Sequence, residues 1–314
     1  MSGGVREGGP SLRRGSINVA GGCAQTPTGA AAILWFVDDT FVLGELRLVS
    51  DVSGADWIVA SVRNFECDVG SLLPVTFDAY ARVLHPAGRR RDTDAAAEEV
   101  SWSQVAAANG RVAHASMEWI AITGDWRYLD RESQPGVWSR PPSRGSLPAN
   151  QIAILARVLE RFTTTPSTCW FAVWDGSGTP VYPRPVHTVP MPNRPMALFA
   201  GPLGAVTTSF GAQPFECAHL WWPEDRSWCV ASDVDLMSTY VAGSVECVAA
   251  VLADEDLESF PVTLDQRVTW DSDTVNPTPS GSAEIGGRPI SRRMSRRIRR
   301  RLQRTPPTAS SSHP

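Results

Sequence analysis

The stretch that most constrains the fold is a helix pattern followed directly by a strand pattern. In PANQIAILARVLERF, residues 148–162, apolar side chains recur at helical spacing behind a proline at the first position. In TCWFAVW, residues 168–174, apolar side chains occupy both faces, which is typical of a strand inside a sheet. An Asp175-Gly176 turn closes that strand. We therefore predict a central strand, with no domain boundary between it and the helix.

The remaining segments mix helix and strand patterns in irregular order. Helices are predicted at 55–66, 101–110 and 244–254, the last two after capping serines. Strands are predicted within a hairpin over 31–49 and at 77–84, 196–201, 228–236 and 261–270, with a loop at 87–100 and turns over 125–147. Because no regular βαβ repeat occurs, the sequence predicts an α+β fold: a mainly antiparallel or mixed sheet packed against helices.

Composition divides the chain into three regions. Residues 1–29 are rich in Gly, Ser, Thr and Arg, and we predict a disordered leader. Residues 272–314 are rich in Pro, Ser, Gly and Arg, and we predict a disordered basic tail. Between them, residues 30–271 are predicted to form a single α+β body, and a subdivision of that body would fall near 125–147.

All 29 basic residues are Arg, and the chain contains no Lys. This excludes P-loop nucleotide binding, Schiff-base and pyridoxal chemistry, the Ser-x-x-Lys acyl-transfer motif and the protein kinase signature. Charge is unevenly placed, since residues 1–287 hold 20 Arg against 33 Asp and Glu, a net charge of −13. The tail carries the other nine Arg, and no acid follows Glu284.

The basic tail has the pattern of an amphipathic helix. Four apolar residues stand four apart, at Ile290, Met294, Ile298 and Leu302, with Arg between them. The predicted anion- or partner-binding residues are Arg292, Arg293, Arg296, Arg297, Arg299, Arg300, Arg301 and Arg304. The pattern suits an acidic protein surface, a nucleic-acid backbone or an anionic membrane, and the alternative is a solvated tail.

The cysteines and the apolar runs bear on location. Six Cys occur without a C-x-x-C pair and without a signal peptide, which predicts reduced thiols and a cytoplasmic protein. The apolar run over residues 30–37 is too short to cross a bilayer, so no transmembrane segment is predicted.

Neither G-x-G-x-x-G after a strand nor G-x-S-x-G occurs, and we predict no cofactor.

The segment WWPEDRSWCVASDVD, residues 221–235, contains the strongest candidate site. A strand beginning at Trp228 would place Asp233 and Asp235 on one face with their Cα atoms about 6.6 Å apart. Glu224 and Asp225 could join them from the preceding loop. Such a cluster suits a divalent metal held by Asp233 and Asp235, or acid–base hydrolysis. The alternative is a half-exposed strand whose acidic side chains are simply exposed to solvent.

Histidine supplies two further candidates. His219 lies near Cys217 and Cys229 in the chain, but the paired spacings of zinc sites are absent. We therefore keep His219 as a candidate catalytic residue, and a zinc site at His219, Cys217 and Cys229 is the weaker hypothesis. His85, which precedes Pro86 at the predicted end of a strand, is either a general base or a structural loop residue.

Two phrases resemble a known group of proteins. FDAYARVLHP, residues 77–86, and WWPEDRSWCVASDVDLMSTYVAGS, residues 221–244, are similar to a family of uncharacterised proteins from high-GC actinobacteria. The resemblance covers residues 52–270. It implies a cytosolic, single-module protein, and because no activity is known for the family it assigns no catalytic residue.

These observations support three functional hypotheses. The first is a non-enzymatic binding or interaction protein with a Trp-rich α+β domain, since the chain has 12 Trp. By analogy alone, an immunity-like protein that binds a protein partner would fit this description. The second is a hydrolase that uses the acidic cluster, with or without a divalent metal. The third is an adaptor whose Arg-rich tail binds anions on nucleic acid or a membrane.

Overall fold

The computed structural model describes residues 34–37, 40–90, 98–129, 132–176, 180–211 and 215–279. The predicted leader, residues 38 and 39 of the predicted hairpin, and the tail from residue 280 lie outside these residues. The chain divides into two compact units. Unit 1 comprises the described residues up to Pro86 together with residues 142–269, and unit 2 comprises residues 87–141 together with the described residues from Trp270 onward.

The fold is α+β, as predicted, and every strand pairing among the described residues is antiparallel. The strands are β1 (Leu34–Val37), β2 (Thr40–Leu43), β3 (Leu46–Val49), β4 (Ala79–Leu84), β5 (Ala87–Arg89), β6 (Glu98–Val100), β7 (Cys169–Trp174), β8 (Thr188–Val189), β9 (Met196–Gly201), β10 (Leu220–Pro223), β11 (Trp228–Ala231), β12 (Ser238–Gly243) and β13 (Ser259–Val262). The α-helices are α1 (Asp56–Val59), α2 (Trp102–Ala108), α3 (Trp119–Thr123), α4 (Ala149–Glu160) and α5 (Val245–Leu252). Short 3-10 helices lie at Ser53–Ala55, Val69–Ser71, Trp126–Leu129 and Leu203–Thr207.

Unit 1 is built on one large sheet in the order β1-β2-β3-β9-β7-β10-β11-β12-β4-β13, with β8 pairing to β9. β7 lies in its interior, between β9 and β10, as its doubly apolar sequence predicts. The strand at β4 and the hairpin of β1 and β2 also follow the prediction, and β3 extends that hairpin by a further strand.

Both faces of the sheet are buried. The adjacent residues Trp221 and Trp222 belong to different hydrophobic clusters, because successive side chains on a strand point to opposite faces. Trp221 packs in the cluster that contains apolar residues of α4 and α5. Trp222 packs in the cluster that contains Ala55, Ile58 and Leu73, from the segment between β3 and β4.

The helix ends follow capping chemistry. Ser101 forms a reciprocal capping box with Gln104 at the start of α2, and the Ser244 hydroxyl accepts from the Cys247 N–H at the start of α5. Both helices were predicted. The predicted helix at 148–162 is α4, whose N-cap is Pro148 and whose last helical residue is Glu160.

Several predicted bounds are wrong. The helix predicted over 55–66 ends at Val59, and Phe65 and Cys67 adopt φ angles of 53° and 62°, which are incompatible with a right-handed helix. The predicted loop at 87–100 contains the β5–β6 hairpin, and the strand predicted over 261–270 is β13, which ends at Val262. Strands β10 and β12 were not predicted at all.

Unit 2 has its own aromatic core. The ring of Trp119 lies 5.3 Å from that of Trp102 and 5.2 Å from that of Trp138, and all three side chains are buried. Trp270 contacts Trp126, with ring centres 5.0 Å apart. Large rings supply much of the apolar area that a core buries, so these ring contacts form the core of unit 2.

The segment after Trp270 also packs into unit 2. The buried carboxylate of Asp273 accepts from His114 Nε2 at 3.0 Å and from the Asn276 N–H at 2.8 Å. It further accepts from the Glu118 N–H at 3.2 Å. The sequence predicted a single body over 30–271, with any subdivision near 125–147, and the described residues form two compact units. Residues 272–279, which were assigned to the tail, belong to unit 2. None of the helices that the structure describes is long and apolar enough to cross a membrane.

Candidate functional site

A cleft opens in unit 1 at one edge of the sheet, where β7 and β11 end and β9 and β10 begin. Its volume is about 460 Å³, including space that is open to solvent. Most of its lining is apolar, contributed by Phe65, Leu72, Trp174, Met191, Pro192, Met196, Leu220, Ala231 and Val234. Its polar lining consists of Ser71, Arg194, His219, Ser232 and Asp233. A mainly apolar cleft with a few convergent polar groups is typical of small-molecule sites.

Arg194 is the central charged residue of the cleft. Its side chain is only 8% exposed. The guanidinium carbon lies 4.9 Å from the centre of the Trp174 ring and 5.7 Å from that of the Phe65 ring. Both distances fall within the range of cation–π attraction, so the two rings hold the guanidinium in place.

Arg194 also binds both of the acids that the sequence singled out. Its Nε donates to Asp233 Oδ2 at 3.1 Å, and its Nη2 donates to Asp233 Oδ1 at 3.3 Å and to Asp235 Oδ2 at 2.8 Å. Burial alone would lower the pKa of Arg194, but the two carboxylates outweigh it and raise that pKa. Arg194 therefore stays charged.

The two acids do not lie on a strand, which corrects the prediction. β11 ends at Ala231, and the chain then turns, with the Leu236 N–H donating to the Asp233 carbonyl at 2.9 Å. The Asp235 N–H donates to Asp233 Oδ1 at 3.0 Å, which fixes the turn. Both carboxylates consequently converge on Arg194. Among the described residues, no group of three or more His, Cys, Asp or Glu side chains could hold a metal ion.

Glu224 and Asp225 have local roles in the turn between β10 and β11 and do not line the cleft. Glu224 accepts a hydrogen bond from the indole N–H of Trp170. Asp225 Oδ2 accepts from the Thr164 N–H at 2.6 Å and from the Thr163 hydroxyl at 2.9 Å. Although desolvation opposes the charge, these hydrogen bonds lower the pKa of Asp225 to about 2. The structure thus brings Asp233 and Asp235 together, without Glu224 and Asp225.

His219 lines the cleft as a neutral side chain. Its Nδ1 accepts from the Trp174 N–H at 3.2 Å, so the proton of the neutral ring lies on Nε2. Burial lowers the pKa of His219 to about 4. The predicted grouping with Cys217 and Cys229 does not form, because these two cysteines belong to clusters on opposite faces of the sheet.

A buried chain of hydrogen bonds, which no sequence pattern indicated, runs from Ser232 to Ser143. The Ser232 hydroxyl lies 2.6 Å from the Thr239 hydroxyl, which lies 2.9 Å from His85 Nε2. His85 Nδ1 lies 2.7 Å from the Ser143 carbonyl oxygen. His85 is fully buried, and desolvation lowers its pKa to about 4. His85 thus connects to Ser232 through Thr239 and does not line the cleft.

No family model, curated protein or solved structure matches the chain. The resemblance to the actinobacterial family therefore stays a prediction, and the site is interpreted from its own geometry.

Proposed function

We propose that this protein is a non-enzymatic binding protein whose unit 1 takes a small, mainly apolar molecule into the cleft. The observation that carries the proposal is the lining itself, which is mostly apolar and includes a few polar residues. The apolar part includes the Trp174 and Leu220 side chains, which offer apolar area to a ligand. The polar lining includes Arg194 and Asp233, whose charged groups can orient the ligand.

Binding is favoured over hydrolysis by the state of the ionisable groups. The Asp233 carboxylate is bound at both oxygens by Arg194, so it is poorly suited to take or give a proton. His219 has its pKa lowered to about 4 by burial, which makes it a weak base near neutral pH. Neither Asp233 nor His219 is therefore well placed to act as the acid or base of a hydrolase at neutral pH.

A ligand titration tests the proposal. We expect 2-phenylethanol, a neutral aromatic probe, to bind with a Kd in the millimolar range, as small fragments do. Leu72→Trp should abolish this binding because the larger ring fills the cleft. Val112→Trp is the matched control, since Val112 is 56% exposed and lies in unit 2. Equal binding by wild type and Leu72→Trp, measured by ligand-observed NMR, would overturn the proposal.

The charge distribution favours a second candidate function, binding of anions by the tail. Nine Arg lie between Arg288 and Arg304, and no acid follows Glu284. Dense positive charge attracts phosphate groups in a salt-dependent manner. Deletion of residues 286–314 should therefore remove binding to anionic vesicles or duplex RNA and leave the melting temperature unchanged. Unchanged binding after the deletion would exclude this function.

Location and partner form part of the proposal. A cytoplasmic location is supported by five described cysteines, all of which are free thiols. The protein partner and the immunity-like role stay predictions.

A further inference from the structure

We propose that the loop of residues 63–70, the Phe65 loop, is a lid over the cleft, and that a ligand enters when the Phe65 ring swings away from Arg194. The inference rests on the proposed function, because it concerns how the same cleft admits its ligand. It gives the Phe65 ring a role in the rate of binding, in addition to its place in the lining.

The Phe65 loop packs on the face of the sheet that forms the apolar floor of the cleft. Leu220 of β10 and Ala231 of β11 line the cleft and belong to the hydrophobic cluster of that face. Val69, from the base of the loop, is buried in the same cluster. The base of the loop therefore lies against the floor, and Phe65 lines the cleft from the tip.

The base of the loop is closed and firmly anchored. The Arg63 N–H donates to the Gly70 carbonyl at 2.7 Å, so the two ends of the loop lie side by side. The Arg63 guanidinium binds Asp68 at 2.6 Å and Asp265 at 2.7 Å, and the Gly70 N–H donates to the Leu264 carbonyl at 3.0 Å. A short surface loop with joined ends is an Ω-loop, a type that is frequently functional.

The tip of the loop, residues 64–66, is held much less firmly. Asn64 and Glu66 are exposed, and Phe65 belongs to neither of the hydrophobic clusters that the described residues of unit 1 form. Among the described residues, the backbone N–H groups of the tip donate within residues 63–71 and to no other part of the unit. The Phe65 ring reaches the wall of the cleft at Arg194, and a cation–π contact at a partly exposed site is weak. Thermal motion can therefore separate the tip from the cleft.

The backbone of the loop is strained at the point where the tip would move. Phe65 and Cys67 have φ angles of 53° and 62°, in the left-handed region that side chains other than Asn and Asp rarely adopt. Strained residues of this kind are found at ligand clamps and switch regions. Rotation of these two residues toward ordinary φ angles would relieve the strain and move the ring, so they are the hinges of the lid.

The rate of ligand association tests the lid. Fluorine NMR line shapes of 2-(4-fluorophenyl)ethanol give its association and dissociation rate constants. Phe65→Ala should raise the association rate about fivefold or more, because binding no longer waits for the lid to open. A residue that only formed part of the wall would change dissociation and leave association unaltered. Phe65→Tyr keeps a ring over Arg194 and should restore slow association.

Asn64→Ala is the matched control, since Asn64 is an exposed neighbour in the same tip that does not line the cleft, and both rate constants should be unchanged. Equal association rates in wild type and Phe65→Ala would overturn the lid while the binding function stands. Absence of binding to the wild type would overturn the proposed function as well.

Methyl NMR tests the lid without a ligand. The chain has six Met, of which Met191 and Met196 line the cleft, whereas Met117 is buried in unit 2. Opening of the Phe65 ring should cause microsecond-to-millisecond exchange at the methyl groups of Met191 and Met196, and not at Met117. Phe65→Ala should abolish this exchange. Wild-type methyl groups without exchange, or exchange that persists in Phe65→Ala, would contradict the lid.

Discussion

Arg194 binds both carboxylate oxygens of Asp233, through its Nε and Nη2 atoms, at 3.1 and 3.3 Å. The side chains of the two residues are 8% and 13% exposed, so water shields neither charge well. This pair joins the connection before β9 to the turn after β11, and it forms the charged side of the cleft.

Removal of Arg194 should destabilise unit 1 strongly. Arg194→Leu leaves the largely buried Asp233 carboxylate without its partner, and we expect a loss of about 3 kcal/mol in the free energy of unfolding. Asp235→Asn is the matched control, because Asp235 is 63% exposed and its pairing should contribute less than about 1 kcal/mol. Urea unfolding at pH 7 measures both values. Equal losses for the two variants would contradict the conclusion that the buried pair of Arg194 and Asp233 stabilises unit 1.

Acid should destabilise unit 1 through its two buried histidines. Burial lowers the pKa of His85 and of His219 from 6.5 to about 4. Between these values the unfolded chain binds the additional protons, so stability is complete above pH 6.5 and falls as the pH drops toward 4. Each histidine should account for a loss on the order of 3 kcal/mol across this window. Urea unfolding at pH 7, 6 and 5 measures the slope.

Substitutions test whether this pH dependence of stability comes from the buried histidines. His85→Gln should remove about half of this pH dependence and leave the share of His219, although it lowers stability at pH 7. His187→Gln is the control, since His187 is exposed, and it should leave the slope unchanged. An undiminished slope in His85→Gln would show that His85 takes up no extra proton on unfolding.

The cap of α5 should contribute measurably to stability. The Ser244 hydroxyl accepts from the Cys247 N–H at 3.2 Å, and Ser244→Ala should lower the free energy of unfolding by about 1 kcal/mol. Ser244→Gly should cost only a few tenths of 1 kcal/mol, because glycine leaves the N–H open to water. Thermal unfolding compares the variants, and a larger loss for glycine than for alanine would contradict the capping role.

Asp273 should hold its segment in unit 2. Asp273→Ala removes the acceptor of His114, Glu118 and Asn276, and we expect a loss of about 2 kcal/mol together with faster proteolysis near residues 271–279. Asp271→Ala is the control, because Asp271 is exposed. Limited proteolysis followed by mass spectrometry measures the cleavage. Equal cleavage in both variants would exclude Asp273 as the anchor.

The elements that the sequence predicts are those whose signals are local. α4 has an amphipathic stripe, β7 is apolar on both faces, and α2 and α5 begin at capping serines. Each signal lies within the element itself or within one turn of it. Local interactions are sufficient to indicate such segments, whatever the rest of the fold does.

Strands β10 and β12 lack such signals. β10 is only four residues long, ends at Pro223 and buries successive tryptophans on opposite faces, so it shows no period of two. β12 begins with Ser238 and Thr239, which read as a loop. Ser238 and Thr239 can nevertheless be buried, because residues distant in the chain satisfy their hydroxyl groups. Arg82 hydrogen-bonds to Ser238, and His85 hydrogen-bonds to Thr239.

The site was predicted only in part, for the same reason. The sequence indicated Asp233, Asp235 and His219, and the structure places all three at or beside the cleft. Their chemistry depends on Arg194, which stands in a Pro-rich connection without periodicity. It depends also on the Trp174 N–H, which donates to His219 Nδ1. Neither contact can be predicted from the spacing of residues in the sequence, because only the folded sheet brings these residues together.

The order of strands in the sheet has a consequence for synthesis. β4 pairs with β12 and β13, and both of these strands lie far downstream. The contact of Arg82 with Ser238, for example, spans 156 residues. At about 5 to 20 residues per second, a ribosome needs roughly 8 to 30 s to make that length of chain. Throughout this interval β4 has two unpaired edges and an apolar surface of Ala81 and Val83, so chaperone binding to the nascent chain should concentrate there.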